Sequence, residues 1–275
     1  MRPFVIRLSL LGLLGLCLGS LINAQSADSL FNLAYEIPVV ANKVYSDKLR
    51  QSYLVTTENE LIKYDVNGQE LFRYNNNRLG PLGHVDITNP FNILLYYPEY
   101  LSVIILDRTL TETTAFNLFD LNIVTDVPVV ASSNDNNIWY YDDLNFRLRK
   151  IDRKGKVLQE SQNMSLVLNK RLAPIQIVER NNHIYLNDPA IGILVFDLFG
   201  SYLQTLPLLQ VKHMDIVEQQ LFYEKAEQLH VFHLQSLLDQ AIPFPKSIQK
   251  HKSISIQPRV LFVAMEEKVQ VYQFE

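Results

Sequence analysis

The chain has 275 residues, 25 of them basic and 29 acidic, with 48% hydrophobic residues, one cysteine and a net charge of −4. The negative balance argues against nucleic acid or an anionic membrane surface as a partner. A single cysteine cannot form an internal disulfide, so stability must come from a hydrophobic core, which a chain of this length can bury.

The first segment, "MRPFVIRLSLLGLLGLCLGSLINA", joins Arg2 and Arg7 to an apolar run from Leu8 to Ile22 and ends on the small residue Ala24. This is the layout of a secretory signal peptide, residues 1–24, with cleavage after Ala24. The alternative is an uncleaved anchor, although the run is shorter than the roughly 20 residues of a spanning helix. Leu16 before Cys17 speaks against lipidation. Cleavage removes Arg2, Arg7 and Cys17 and leaves residues 25–275 as a single domain without cysteine, with a net charge of −6. A thiol nucleophile and a thiolate zinc site are thereby excluded, and no second apolar stretch is long enough to span a bilayer. The expected location is the periplasm, the cell surface or the extracellular medium.

Beyond the leader, short runs of Val, Ile, Leu, Tyr and Phe alternate with clusters of Asn, Asp, Gly and Pro, the pattern of many short antiparallel strands. The phrase "KYDVNGQEL" at 63–71 returns as "LDRTLTET" at 106–113, "KIDRKGKVL" at 150–158 and "VFDLFGSYL" at 195–203. Their aspartates, Asp65, Asp107, Asp152 and Asp197, are spaced by 42, 45 and 45 residues, the length of a four-stranded propeller blade. Each aspartate can accept backbone amides ahead of it, and a glycine three residues on tolerates the left-handed conformation of the turn. Gly68, Gly155 and Gly200 hold that place, whereas the second copy has Leu110 and is expected to need another turn geometry, with some strain or a different loop register.

Extending the copies gives blades at 43–75, 84–118, 127–162, 173–208 and 213–245. Although "MDIVEQQLFYEKAEQLHVFHLQSLLDQ" tempts a helical reading, it aligns with the fifth blade. The C-terminus supplies three strands, "SISIQP", "RVLFVAM" and "KVQVYQF", and "FNLAYEIP" near residue 31 supplies one. Joined, they make a sixth blade. The expected fold is therefore an all-β six-bladed propeller closed by its N-terminal strand, which removes exposed sheet edges.

The fourth blade, "PIQIVERNNHIYLNDPAIGILVFDLFGSYL", resembles an NHL repeat through Ile184, Tyr185, Asp188, Val195, Phe196, Asp197, Gly200 and Leu203. The third blade matches through "NIWYYDD" and "LRKIDRKGKVL", and the first through "YLVTTE" and "IKYDVNGQEL"; the second and fifth diverge. The chain resembles secreted six-bladed NHL-like propellers, many of them in Bacteroidota envelopes. That resemblance implies a non-catalytic module or scaffold binding another envelope or extracellular protein. A minority of six-bladed relatives are metal-dependent lactonases or lyases, so a channel-site hydrolase or lyase is the alternative. Fold alone does not choose between them.

Two inner strands open alike, with His84 and Asp86 in "GHVDIT" and His213 and Asp215 in "KHMDIV". Blades two and five lie opposite each other in a ring of six, so these four residues are the candidate ligand site of the channel. The competing interpretation has Asp86 and Asp215 bonding backbone amides of neighbouring blades. The matching positions Val129, Gln176 and Ser255 carry no acid, and opposite blades hold carboxylates too far apart for calcium, so neither a metal nor a cofactor is expected. His230 and His233 point to opposite faces of a strand.

The loops between second and third strands carry acids, and the connections into the next blade carry bases: Arg78, Lys170, Arg171, Lys212, Lys246, Lys250 and Lys252. A mixed-charge rim suits a protein partner, but ordinary solvated turn chemistry and a structural acid are the simpler account of it. In "NMSLVLNKRL", Leu166, Val167 and Leu168 are apolar within a connection. They either pack over the channel mouth or present an apolar spot beside Lys170 and Arg171. Arg78 and residues 166–168, 170 and 171 form the candidate protein-binding set.

Overall fold

The structure, a computed structural model, describes residues 30–123, 129–248 and 250–274. The expected leader, residues 1–24, and the first two residues of the expected third blade lie outside them. Strands of each blade fall at 41–75, 84–117, 130–160, 176–206 and 214–243; the sixth blade combines 253–274 with 31–37. Each of the six sheets has four antiparallel strands, ordered from the channel outward in chain order except in the last. There, Phe31–Ile37 adds as the outer strand, with Phe31 opposite Phe274 and Ile37 opposite Val269. Bonds from Lys268 Nζ and Gln270 Nε2 to Glu36 fasten the closure.

The chain folds this way because most of its second and third strands are largely buried on both faces. Ile93–Tyr97, "ILLYY", is buried at all five positions, whereas the outer strand Glu70–Asn75 is exposed at five of six. A strand buried on both faces reads as a continuous apolar run, and a blade sandwiched between two others requires it. The resulting core is six clusters, one at each junction between blades. Each buried Leu, Ile or Phe contributes about 1.5–3 kcal/mol, so every blade depends on both neighbours.

The turn after the third strand is built as its sequence implies. Asp197 Oδ1 accepts the amides of Phe199 and Ser201, and Gly200, at φ +85°, donates to the Asp197 carbonyl. At Asp107 the expected different geometry or register is corrected, since the same turn forms, while the expected strain is present. Thr109 N and Thr111 N bond Asp107 Oδ1, Leu110 N bonds its carbonyl, and Leu110 itself takes the left-handed φ of +59°. Burial of Leu110 in the core between blades one and two offsets the strain. The segment from Met214 to Pro243 forms four strands, as its alignment with the blades implies.

Connectivity gives the ring two faces. Connections between blades and the loops joining second to third strands lie on one, here the connection face; the remaining turns lie on the other. On the connection face, residues Met164–Leu168 make one helical turn, capped where Asn163 accepts the amide of Leu166.

Candidate functional site

The inner strands are stitched by side chains that reach the next blade's backbone. Asp86 Oδ2 accepts Ser132 N of blade three at 2.7 Å while Oδ1 takes Thr88 N, and Asp215 Oδ2 accepts Ile256 N of blade six at 2.8 Å. Gln176 makes a reciprocal pair with the amide and carbonyl of Met214, both at 2.9 Å. Between blades six and one, Ser255 and Ser46 share a hydroxyl bond and Gln257 Nε2 reaches the Ser46 carbonyl. Lys43 Nζ reaches the Gly83 carbonyl at 2.7 Å across blades one and two. The two aspartates thus hold the ring together whatever else they do.

The same strands wall the channel. A narrow cavity of about 60 Å³ is lined by Asp86, Thr88, Arg180 and Asp215 among others. Toward the connection face lies a wider mouth of about 450 Å³, sharing Tyr45, His84, Gln176, His213, Asp215 and Ile256 with the narrow part. The four residues singled out from the two His-x-Asp strands therefore converge on one channel. His213 Nε2 is 3.4 Å from Asp215 Oδ1 without the alignment of a hydrogen bond, and the His213 ring meets Tyr45 edge-on at 6.4 Å.

Burial dominates the electrostatics here. It pushes His84 down to about 4; Asp86 opposes this, while Lys43 and His213 add to it, so the imidazole is neutral at pH 7. Burial also lowers Lys43 and raises Tyr45. At the rim, His251 donates through Nδ1 to the Ile248 carbonyl at 2.7 Å and through Nε2 to Glu224 at 3.0 Å. Both partners are acceptors, so the ring serves both only as an imidazolium.

Sequence reasoning missed Lys43, Tyr45, Lys212 and His251 as channel residues. A signal existed: "KVY" at 43–45 has the same alternation as "HVD" at 84–86 and "HMD" at 213–215, which turns first and third residues toward the channel.

The candidate protein-binding residues lie on the connection face in two places. Arg78 is exposed in the connection from blade one to two. The others sit between blades three and four. Met164 is buried, Met164 N bonds the Phe146 carbonyl and Asn163 Nδ2 bonds Asn145, fastening the helical turn to the neighbouring loop. Leu168 packs on the core, but Leu166 is 81% exposed, with Val167 and Leu144 also at the surface. Exposed Lys170 adjoins them, and Arg171 lies over the Phe146 ring and 3.7 Å from Asp143. Of the loop acids, Asp142 and Asp188 are buried and bond loop amides, as a structural acid does. Among the described residues, no three His, Cys, Asp or Glu side chains group as a metal centre would, and no helix is long and apolar enough to cross a membrane.

No protein-family model matches the chain, and no curated protein matches it. Solved structures do. A chain of the mitotic checkpoint complex aligns with a TM-score of 0.58 at 10% identity, over 99% of this chain and 98% of that one. A catalytically inactive virginiamycin B lyase from Staphylococcus aureus, solved with quinupristin, aligns at 0.57 and 12%, over 89% and 100%. The extracellular domain of a hybrid two component system from B. thetaiotaomicron aligns at 0.52 and 11%, over 83% of this chain and 33% of that one. At such identities the likeness is one of fold, and the fold carries both enzymes and proteins of larger assemblies.

Proposed function

We propose that the protein is an exported, NHL-like propeller that acts as a non-catalytic binding module, docking another envelope or extracellular protein on its connection face. The observation that carries this is the display of Leu166. One helical turn is fixed by a buried Met164, an Asn163 cap and bonds to the adjoining loop, yet it holds Leu166 and Val167 out in water beside Leu144. Apolar side chains on a backbone fixed in advance lose only their own rotamer freedom when a partner covers them, which is the property of an interface anchor. Lys170 and Arg171 flank the anchor in a chain of net negative charge, so they set orientation toward an acidic rim on the partner. Likeness to a checkpoint-complex chain and to an extracellular domain supports the reading at the level of fold.

Reversal of both charges, Lys170→Glu with Arg171→Glu, should weaken capture of the partner in a pull-down by about tenfold at low salt, with less effect at high salt. Recovery equal to that of the unaltered protein would remove the role given to this pair.

A further inference from the structure

The geometry points to a second binding site: the wide mouth of the channel takes a small organic anion, an ionised head on a short apolar body, with Lys43 as its principal charge partner. This site goes beyond protein docking and shares no residue with the Leu166 surface.

Acceptors and donors at the mouth are unevenly satisfied. Several acceptors are engaged: Asp215 Oδ2 on Ile256 N, Gln176 Oε1 on Met214 N, and Glu224 Oε2 on His251, while Asp215 Oδ1 faces His213 Nε2 at 3.4 Å without a hydrogen bond. Donors remain open. An ammonium has three N–H groups, and Lys43 Nζ meets one carbonyl, that of Gly83. Among the described residues the His84 ring, neutral and so carrying one N–H, forms no hydrogen bond, and the buried His213 Nε2 has no partner. Exposed Lys212 borders the same space, and Lys252 is held only by Glu266, itself 78% exposed, at 3.3 Å. The unmet ammonium N–H groups of Lys43, with exposed Lys212 beside them, call for a ligand that brings acceptors.

Charge favours the same class. Three lysines converge on this mouth in a chain whose net charge is −4; they face two carboxylates, Glu224, paired with the imidazolium of His251, and Asp215, so cations outnumber unpaired carboxylates there. Apolar side chains share the lining: Ile175, Phe222, Ile254 and Ile256. A volume of about 450 Å³ lies within the range of small-molecule sites, roughly 300–1,000 Å³. Lys43 is partly buried, where a charge interaction outweighs one in open water.

Isothermal titration of the purified protein with octanoate, octanol and inorganic phosphate separates the two halves of the proposed ligand. Octanoate should bind, with octanol and phosphate each weaker by about tenfold or more. Lys43→Met should weaken octanoate by about tenfold, and Lys212→Glu, at an exposed position that folding does not require, by severalfold. A circular-dichroism melt checks that Lys43→Met folds; if it does not, Lys212→Glu carries the test. The proposal is overturned if octanoate gives no heat of binding, if octanol or phosphate binds as tightly as octanoate, or if the folded variants bind octanoate as the unaltered protein does.

Discussion

Leu110 stands where three other blades place Gly68, Gly155 and Gly200, and it adopts their left-handed backbone at φ +59°. A side chain there costs about 1–2 kcal/mol, offset by burying the leucine between two blades. Leu110→Ala keeps the strain and loses the burial, whereas Leu110→Gly loses the burial and relieves the strain. Urea unfolding should therefore rank the glycine variant above the alanine variant by about 1 kcal/mol, with both below the unaltered protein. An alanine variant equal to or more stable than the glycine variant would contradict the offset. A second residue-scale effect is set by His251 and Glu224. Burial lowers His251, but the Glu224 and Ile248 bonds outweigh it and hold the pKa above the ordinary 6.5; the His251 bond holds Glu224 below the ordinary 4.5. The histidine's contribution is complete below pH 6.5 and lost as pH rises through its raised folded value. The glutamate's is complete above pH 4.5 and lost as pH falls through its lowered one. His84 has the opposite sign: with a folded value of about 4, its contribution grows from there to pH 6.5 and is complete above. Comparing the unaltered protein with His251→Asn cancels the His84 term. The stability gap should be about 1 kcal/mol near pH 6 and shrink above it, because Glu224 is partly exposed and screened. A gap constant from pH 5 to pH 9 would count against the imidazolium.

Stitching between inner strands works at the scale of the element. Blade three is tied to blade four by Glu179, whose carboxylate accepts Ser133 Oγ at 2.7 Å, Asn134 N at 3.1 Å and Trp139 Nε1 at 2.6 Å. Glu179→Ala strands these donors in a buried place, so it should cost about 3 kcal/mol in a denaturant melt; a loss under about 0.5 kcal/mol would mean that water replaces the carboxylate. The blades themselves were legible, because the Asp-x-x-Gly turn repeats at a fixed spacing and the apolar runs between copies match strand length. Glu179 and Gln176 were not, because their partners lie in the following or preceding blade and depend on the rotation between sheets. The turn at 164–168 was also illegible as helix: five residues carry too little periodicity to register. Of the channel site, the His-x-Asp strands announced two walls; Lys43 and Tyr45 passed unnoticed because their residue types did not repeat.

At the scale of the molecule, closure makes the ring cooperative. The strand 31–37 covers the outer edge of the last blade, and each of the six cores is shared between neighbours, so no blade has a core of its own. A rigid ring leaves recognition to what its faces display, and the two faces differ. The connection face carries the channel mouth, the lysine-rich rim and the Leu166 anchor; the opposite face carries turns such as Asp197–Gly200, with Phe199 exposed at its tip. A protein partner is proposed to dock on the first of these. A photo-reactive phenylalanine placed at Leu166, and separately at Phe199, in cells that normally make the protein tests it directly, since both positions are open to solvent. One discrete crosslinked species is expected from position 166 and none from 199, the adduct fading when Lys170 and Arg171 are reversed in charge. Equal crosslinking from both positions, or none from 166, would contradict it.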